Sequence, residues 1–214
     1  MNGAVLKARL TARLTPIEDW RADGAAVRSD LDLNPGVSFG ERELRPAAVL
    51  VPLIDRMEGV SALLTRRADT LTKHSGQIAF PGGRLDPGET AVEAALREAR
   101  EEIALDASTV EVLGLGDPYE TGTGFLVTPV VGWLSAPPVV APSEAEVAEI
   151  FETPWDFLMD AANHRRDFLD MPSGDRRWFW AMPWEDRYIW GATAGIIRSL
   201  CARLAEGDSE GAAA

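Results

Sequence analysis

The chain has 214 residues, of which 46% are hydrophobic and 26% are charged, a composition typical of a globular protein with a sizeable core. This length fits one domain of ordinary size and argues against two. No apolar run reaches the roughly 20 residues that a membrane-spanning helix needs. Lys7, Arg9 and Arg13 interrupt the apolar residues near the N-terminus, so we predict neither a membrane span nor a signal peptide.

The charge balance is strongly acidic, with 21 Lys and Arg against 34 Asp and Glu and a net charge of −13. Such a chain repels polyanions, so we expect no nucleic-acid partner. A phosphate-bearing substrate would need a local basic patch, or divalent cations, to reverse the field at its site. The single cysteine, Cys201, cannot form an internal disulfide, which suits a reducing, cytoplasmic location.

The chain divides into three parts. Residues 1–44 are predicted to form an extension that wraps the domain, with a short amphipathic helix carrying Leu6, Leu10 and Leu14. A loop rich in Gly, Pro and Asp follows. Residues 45–205 are predicted to form the domain itself, and the small and acidic residues 206–214 to form a disordered tail.

The domain is predicted to alternate strands and helices. Strands are predicted at 47–54, 60–66, 77–80, 110–115, 126–134 and 176–183, and helices at 91–103 and 190–204. Residues 145–159 are expected to be helical in part. Pro129 favours an edge or a bend for its strand, because proline cannot donate to a ladder. The expected fold is α/β (α+β), a mixed sheet between helices.

The helix at 91–103 carries the most informative pattern. Thr90 and Glu93 form a capping box that sets the helix start, and the apolar side must face the sheet. Glu98, Glu101 and Glu102 then converge within about one turn. A solvated helix with ordinary ion pairs would explain these acids, but clustered carboxylates also suit Mg²⁺ or Mn²⁺. The preceding Gly82 and Gly83 let the backbone approach a ligand closely and favour the metal interpretation.

The segment resembles the Nudix box, which reads Gly, five residues, Glu, seven residues, Arg-Glu, two residues, Glu-Glu. The matching residues are Gly83, Glu89, Arg97, Glu98, Glu101 and Glu102. The resemblance implies a Nudix fold and metal ligation by the last three of these acids, with Glu89 and Arg97 supporting the loop. The general base would be Glu98, Glu101 or a downstream acid, Glu144 or Glu146. Ala104 replaces the final Gly of the box, which costs about 1 kcal/mol if its backbone is left-handed.

The preceding segment, 63–83, resembles the extra signature of the coenzyme A pyrophosphatase branch of Nudix enzymes. The matching residues are Leu63, Leu64, Thr65, Arg67, Ala68, Gly76, Phe80, Pro81, Gly82 and Gly83. We predict substrate contacts from Arg67, Lys73, His74, Gly82 and Gly83. Thr72 departs from the signature where the branch has Arg, and the point charge of Lys73 does not reproduce a guanidinium fork.

The resemblance implies a hydrolase that uses Mg²⁺ or Mn²⁺ to cleave coenzyme A (CoA) or acyl-CoA to 3′,5′-ADP and (acyl-)4′-phosphopantetheine. Thr72 keeps open a Nudix hydrolase of ADP-ribose or NADH, and a non-catalytic nucleotide-binding module is a third hypothesis. The expected partner is a nucleoside diphosphate derivative, with no membrane partner, and the resemblance leaves room for a homodimer. Trp178 and Trp180 share a strand face and are expected to pack in the core or a dimer. The base-stacking residue stays unassigned.

Overall fold

The computed structural model describes residues 2–38, 40–69, 75–172 and 174–205. Its helices are α1 (Gly3–Arg13), α2 (Ala91–Ile103), α3 (Trp155–Met159) and α4 (Gly191–Ala205). Its strands are β1 (Arg28–Ser29), β2 (Arg45–Arg56), β3 (Gly59–Arg67), β4 (Ile78–Ala79), β5 (Gly82–Arg84), β6 (Glu111–Leu115), β7 (Tyr119–Glu120), β8 (Phe125–Leu134), β9 (Val147–Pro154), β10 (Arg165–Asp170), β11 (Arg176–Trp184) and β12 (Arg187–Trp190). Every helix in these ranges lacks the length and apolar character needed to cross a membrane.

A nine-stranded mixed sheet forms the centre of the protein. Its main path runs β1-β7-β8-β2-β3-β4, while β5 pairs with β2, β6 with β8 and β9 with β3. β2 and β8 are parallel over their length, from Arg45 opposite Phe125 to Ile54 opposite Leu134. A second, antiparallel sheet contains β10, β11 and β12. The predicted fold class, a mixed sheet between helices, is confirmed.

Each face of the main sheet buries an apolar layer. One layer joins β2 to α2 and contains Ala48, Leu50, Ile54, Ala95, Ala99 and Ile103. The other joins the sheet to α1 and α4 and contains Leu10, Val51, Leu53, Leu64, Ile197 and Leu200. Because β2 alternates between these layers, the rotation of α2 about its axis is set by the sheet. The acids of α2 therefore have defined positions relative to β5.

Local signals set both ends of α2. The Thr90 hydroxyl accepts a hydrogen bond from the Glu93 backbone at 3.3 Å, and the Glu93 carboxylate accepts one from the Thr90 backbone at 2.8 Å. At the other end Ala104 adopts φ 54° and ψ 27°, the left-handed conformation. The predicted helix is confirmed at both boundaries, and Ala104 occupies the strained position that the missing Gly suggested.

The N-terminal segment packs on the domain at several points. Leu6 and Leu10 of α1 are buried in the layer that also holds α4. The backbone of Thr15 exchanges hydrogen bonds with Leu115, each at 2.9 Å. Further along, β1 pairs in parallel with β7. The predicted tail, 206–214, lies outside the described residues.

Pro129 lies in the interior of the sheet, so the prediction of an edge or a bend is wrong. β8 pairs with β2 on one side and with β6 and β7 on the other. The Pro129 carbonyl accepts a hydrogen bond from Gly116, in the connection between β6 and β7, at 2.8 Å. The nitrogen of Pro129 points to the same side of the strand as its carbonyl, into the gap between the short strands β6 and β7. No ladder hydrogen bond is lost there, so a central strand tolerates the proline.

Residues 147–154 form strand β9, and only Trp155–Met159 is helical in the segment that was predicted to be partly helical. β9 pairs with β3 from Ser61 opposite Pro154 onward. Glu152 of β9 pairs with Arg56 and accepts a hydrogen bond from the Ser61 hydroxyl. The segment is helical in part, as predicted, and its strand is held by partners that lie far away in the chain.

Candidate functional site

The loop before α2 is tied to the helix by Arg97. Its guanidinium donates to both carboxylate oxygens of Glu89, at 2.7 and 3.0 Å, and to the carbonyl of Arg84 at 3.0 Å. Glu89 also accepts a hydrogen bond from the Asp86 backbone at 2.8 Å. Arg97 holds the pKa of Glu89 below its usual value. A bidentate pair of this kind can hold the loop against α2, which is the role predicted for Glu89 and Arg97.

The same guanidinium reaches two acids of the predicted metal cluster. Nη1 of Arg97 donates to Glu98 at 2.9 Å and to Glu101 at 3.3 Å. Glu98 is partly buried, whereas the Glu101 side chain is largely exposed. Burial raises the pKa of Glu98 in spite of Arg97. The structure therefore brings Glu98 and Glu101 together around a single positive charge.

Glu102 is the buried member of the cluster, at 4% exposure. Its carboxylate accepts a hydrogen bond from the Gly82 backbone at 3.2 Å and lies 3.7 Å from the Arg67 guanidinium. Burial raises the pKa of Glu102 to about 7, and the charges of Glu98 and Glu146 act in the same direction. The existing partners thus compensate only part of the cost of burying this charge.

The two glycines of β5 are required by close contacts. A Cβ atom on Gly83 would overlap the Glu98 carboxylate, and one on Gly82 would overlap the Ala48 carbonyl and Val49. Gly82 is paired with Val49 of β2, so its neighbours are fixed backbone. The lack of a side chain at both glycines therefore leaves space for the Glu98 carboxylate and for the sheet beneath β5.

Arg67 joins the cluster at the end of β3. Besides its contact with Glu102, its buried Nε has no hydrogen-bond partner among the described residues. An unsatisfied buried N–H of this kind leaves the hydrogen-bonding capacity of the guanidinium partly unused. Lys73 and His74, the other predicted substrate contacts, and the divergent Thr72 lie outside the described residues.

Glu146 reaches the cluster from the start of β9. Its charge contributes to the raised pKa values of Glu98 and Glu102, and its carbonyl accepts a hydrogen bond from Ala68 at 2.8 Å. The Glu146 side chain is exposed and has no ion pair in the described part of the chain. Of the two downstream acids considered from sequence, Glu146 is the one whose charge acts on Glu98 and Glu102.

Within the described ranges no three Asp, Glu, His or Cys side chains already surround one point closely enough to hold a metal ion. Glu98 and Glu101 instead share the guanidinium of Arg97. The donor set still suits a hard divalent cation, because it consists of carboxylates and because Glu98 and Glu102 have raised pKa values. Additional positive charge would relieve the burial cost of both acids.

A cavity of about 370 Å³, which the sequence did not reveal, lies next to Arg67. Its lining includes Phe80, Tyr119, Trp178, Phe179, Trp180 and Trp190. Trp180 also packs against the core, as predicted, whereas Trp178 is 36% exposed. The alternation of tryptophans along β11 was the only sequence signal for this cavity, because its walls come from distant segments.

Comparison with known proteins identifies the family. The NUDIX domain profile matches residues 44–171, more than half of the chain. The uncharacterized Nudix hydrolase NudL of Cronobacter sakazakii is 43% identical over 177 residues, which cover 81% of this chain and 90% of that protein. The NudL of Yersinia enterocolitica is 45% identical over 161 residues, covering 74% and 80%.

Solved structures give weaker similarities. A Caenorhabditis elegans Ap4A hydrolase complex is 22% identical with a TM-score of 0.46 and covers 51% of this chain and 80% of that chain. The MutT protein of Methanosarcina mazei is 18% identical with a TM-score of 0.46, covering 80% and 97%. On the profile match and the relatives above 40% identity, the chain belongs to the Nudix hydrolase family.

Proposed function

We propose that the protein is a divalent-metal-dependent hydrolase of coenzyme A or acyl-CoA that produces 3′,5′-ADP and (acyl-)4′-phosphopantetheine. The position of Arg67 carries the proposal. This residue belongs to the motif that resembles the coenzyme A pyrophosphatase branch, and its guanidinium lies 3.7 Å from Glu102 of the Nudix box. The two motifs therefore meet at one site, where a cation and carboxylates face each other.

Glu98, Glu101 and Glu102 are the proposed ligands of Mg²⁺ or Mn²⁺. When bound, such an ion supplies positive charge to the diphosphate and activates the attacking water. Arg97 positions Glu98 and Glu101 through its hydrogen bonds at 2.9 and 3.3 Å. Arg67, whose side chain is 30% exposed, would bind a diphosphate oxygen through its guanidinium, and the backbone of Gly82 and Gly83 would lie against the substrate.

We assign the proton acceptor to the carboxylate of Glu146. Glu98 and Glu101 are engaged with Arg97, whereas the Glu146 carboxylate has no ion pair among the described residues and lies near the cluster. Replacing Glu146 with Gln should lower kcat with little change in KM, because a base acts on the chemical step. The control is Glu144→Gln, which removes a nearby exposed charge and should leave kcat unchanged. Equal kcat values for the two variants would move the role to Glu98 or Glu101.

The decisive experiment is a product assay by mass spectrometry with CoA, acetyl-CoA, ADP-ribose and NADH. Each substrate is tested with Mg²⁺, with Mn²⁺ and with a chelator. The proposal expects phosphopantetheine from the CoA substrates only when metal is present. Cleavage of ADP-ribose or NADH without cleavage of CoA would support the alternative that Thr72 suggests. Binding of nucleotide without turnover of any substrate would support a non-catalytic module.

A further inference from the structure

The aromatic cavity is built by segments outside the Nudix box. Asp30 and Leu33 come from the N-terminal segment, Thr121 and Thr123 from the turn between β7 and β8, and Trp178 from β11. The backbone amide of Trp178 donates to Asn34 at 2.8 Å, which ties β11 to the N-terminal segment. The cavity is thus a defined space between segments that lie far apart in the sequence.

Away from Arg67, the charged residues that line the cavity compensate each other. Asp30 accepts hydrogen bonds from the Tyr119 hydroxyl at 2.9 Å and the Gly122 backbone at 2.7 Å, and it pairs with Arg177 at 3.2 Å. Burial and Asp30 raise the pKa of Tyr119, so the phenol stays neutral at ordinary pH. Because Asp30 and Arg177 neutralise each other and aromatic rings line the cavity, it suits an uncharged group and disfavours a phosphate.

The cavity and the carboxylate cluster meet at Arg67. This residue lines the cavity, and its guanidinium faces Glu102. Phe80 also lines the cavity and lies two residues before Gly82, whose backbone donates to Glu102. A diphosphate bound at Arg67 would therefore have one of its two arms next to the cavity.

We propose that this cavity binds the uncharged pantetheine arm of the substrate, and that the 3′-phosphorylated nucleoside arm lies outside it. This inference rests on the proposed function, since only a CoA substrate has this pair of arms. The volume of about 370 Å³ falls in the range of pockets that bury drug-sized ligands. The hydroxyls of Thr121 and Thr123, 3.0 Å apart, offer polar partners for the amides of the arm.

The test measures binding of the two product halves to the full chain in the presence of Mg²⁺, by isothermal titration calorimetry. Trp178→Ala removes an exposed part of the wall, and Leu169→Ala removes a second lining residue that is 48% exposed. Trp178→Ala should weaken 4′-phosphopantetheine about tenfold or more and change 3′,5′-ADP by less than about twofold, because a large aromatic side chain supplies much of the apolar contact area in such a pocket. Leu169→Ala should show the same selectivity at a smaller magnitude.

The matched control is Tyr188→Ala, which removes a 40% exposed aromatic residue from the same small sheet but outside the cavity lining. It should leave both affinities unchanged. Weaker binding of 3′,5′-ADP, or no selective loss with either cavity variant, would overturn the inference even if the unaltered protein hydrolyses CoA. Failure of the unaltered protein to hydrolyse CoA while it cleaves another diphosphate would instead overturn the proposed function.

Discussion

The left-handed backbone at Ala104 makes a quantitative prediction for the substitution Ala104→Gly. Ala104 ends α2 with φ 54° and is exposed, so its methyl group makes no buried contact that the change would remove. Its amide donates to Arg100 at 3.0 Å, and the Leu105 amide donates to Ala99 at 3.4 Å. Glycine preserves both hydrogen bonds and removes the clash of Cβ with the backbone.

The expected gain comes from two opposing terms. A left-handed conformation costs an L-residue about 1–2 kcal/mol relative to glycine. Glycine gives back about 0.4–1 kcal/mol through the larger conformational entropy of the unfolded chain. The free energy of unfolding should therefore rise by about 1 kcal/mol, which raises Tm by roughly 2–4 °C for a protein of this size.

The assay is thermal and urea unfolding followed by circular dichroism, with Ala162→Gly as the matched control. Ala162 is also exposed, but within the described residues only Ala104 and Glu185 are non-glycine residues with a positive φ. The control should lose stability by about 0.5 kcal/mol, because glycine there adds entropy to the unfolded chain without relieving strain. A lower Tm for Ala104→Gly, or the same change as in the control, would refute the proposed strain.

Three further predictions concern the site. In protein freed of metal by a chelator, Glu102 has a pKa of about 7 in the folded state and its ordinary pKa of 4.5 in the unfolded state. Between these two pH values the folded state holds a proton that the unfolded state has released. The contribution of Glu102 to stability should therefore fall by about 3 kcal/mol as pH rises from 4.5 to 7. Urea titrations measure this contribution as the difference in slope between the unaltered protein and Glu102→Gln, and equal slopes would contradict it. Gly83→Ala should lower kcat about tenfold or more at small cost in stability, because the added Cβ displaces the flexible Glu98 carboxylate. Gly82→Ala should instead lower Tm strongly, because the added Cβ meets the backbone of β2. Equal losses of Tm in the two variants would be inconsistent with this contrast. Arg67→Lys should raise KM about tenfold for a diphosphate substrate, since an ammonium cannot replace the guanidinium fork; an unchanged KM would exclude a substrate contact at Arg67.

Local patterns predicted the parts of the protein whose causes are local. The capping box of Thr90 and Glu93 set the start of α2, and its apolar spacing set the side that faces the sheet. The bidentate pair of Arg97 with Glu89, eight residues apart, was expected from the Nudix resemblance. Such features depend on residues within two or three helical turns of each other.

Features that depend on distant partners were not predictable in this way. The position of Pro129 in a central strand depends on the gap between β6 and β7. The aromatic cavity depends on the pairing of Asp30 with Arg177, which lie 147 residues apart. The burial of Glu102 also follows from its place under β5 rather than from its spacing on α2. Tertiary packing therefore determines the surroundings of the site, while the sequence pattern predicts its residues.

The proposed function depends on the acids of α2, which would support hydrolysis of CoA through a divalent metal ion. Its most direct test is turnover of CoA with Mg²⁺ or Mn²⁺ by the variant in which both Glu101 and Glu102 are replaced with Gln. Since metal catalysis is worth several kcal/mol, the account predicts loss of turnover by about 10²–10³-fold in a variant that stays folded. Turnover at the rate of the unaltered protein would contradict it.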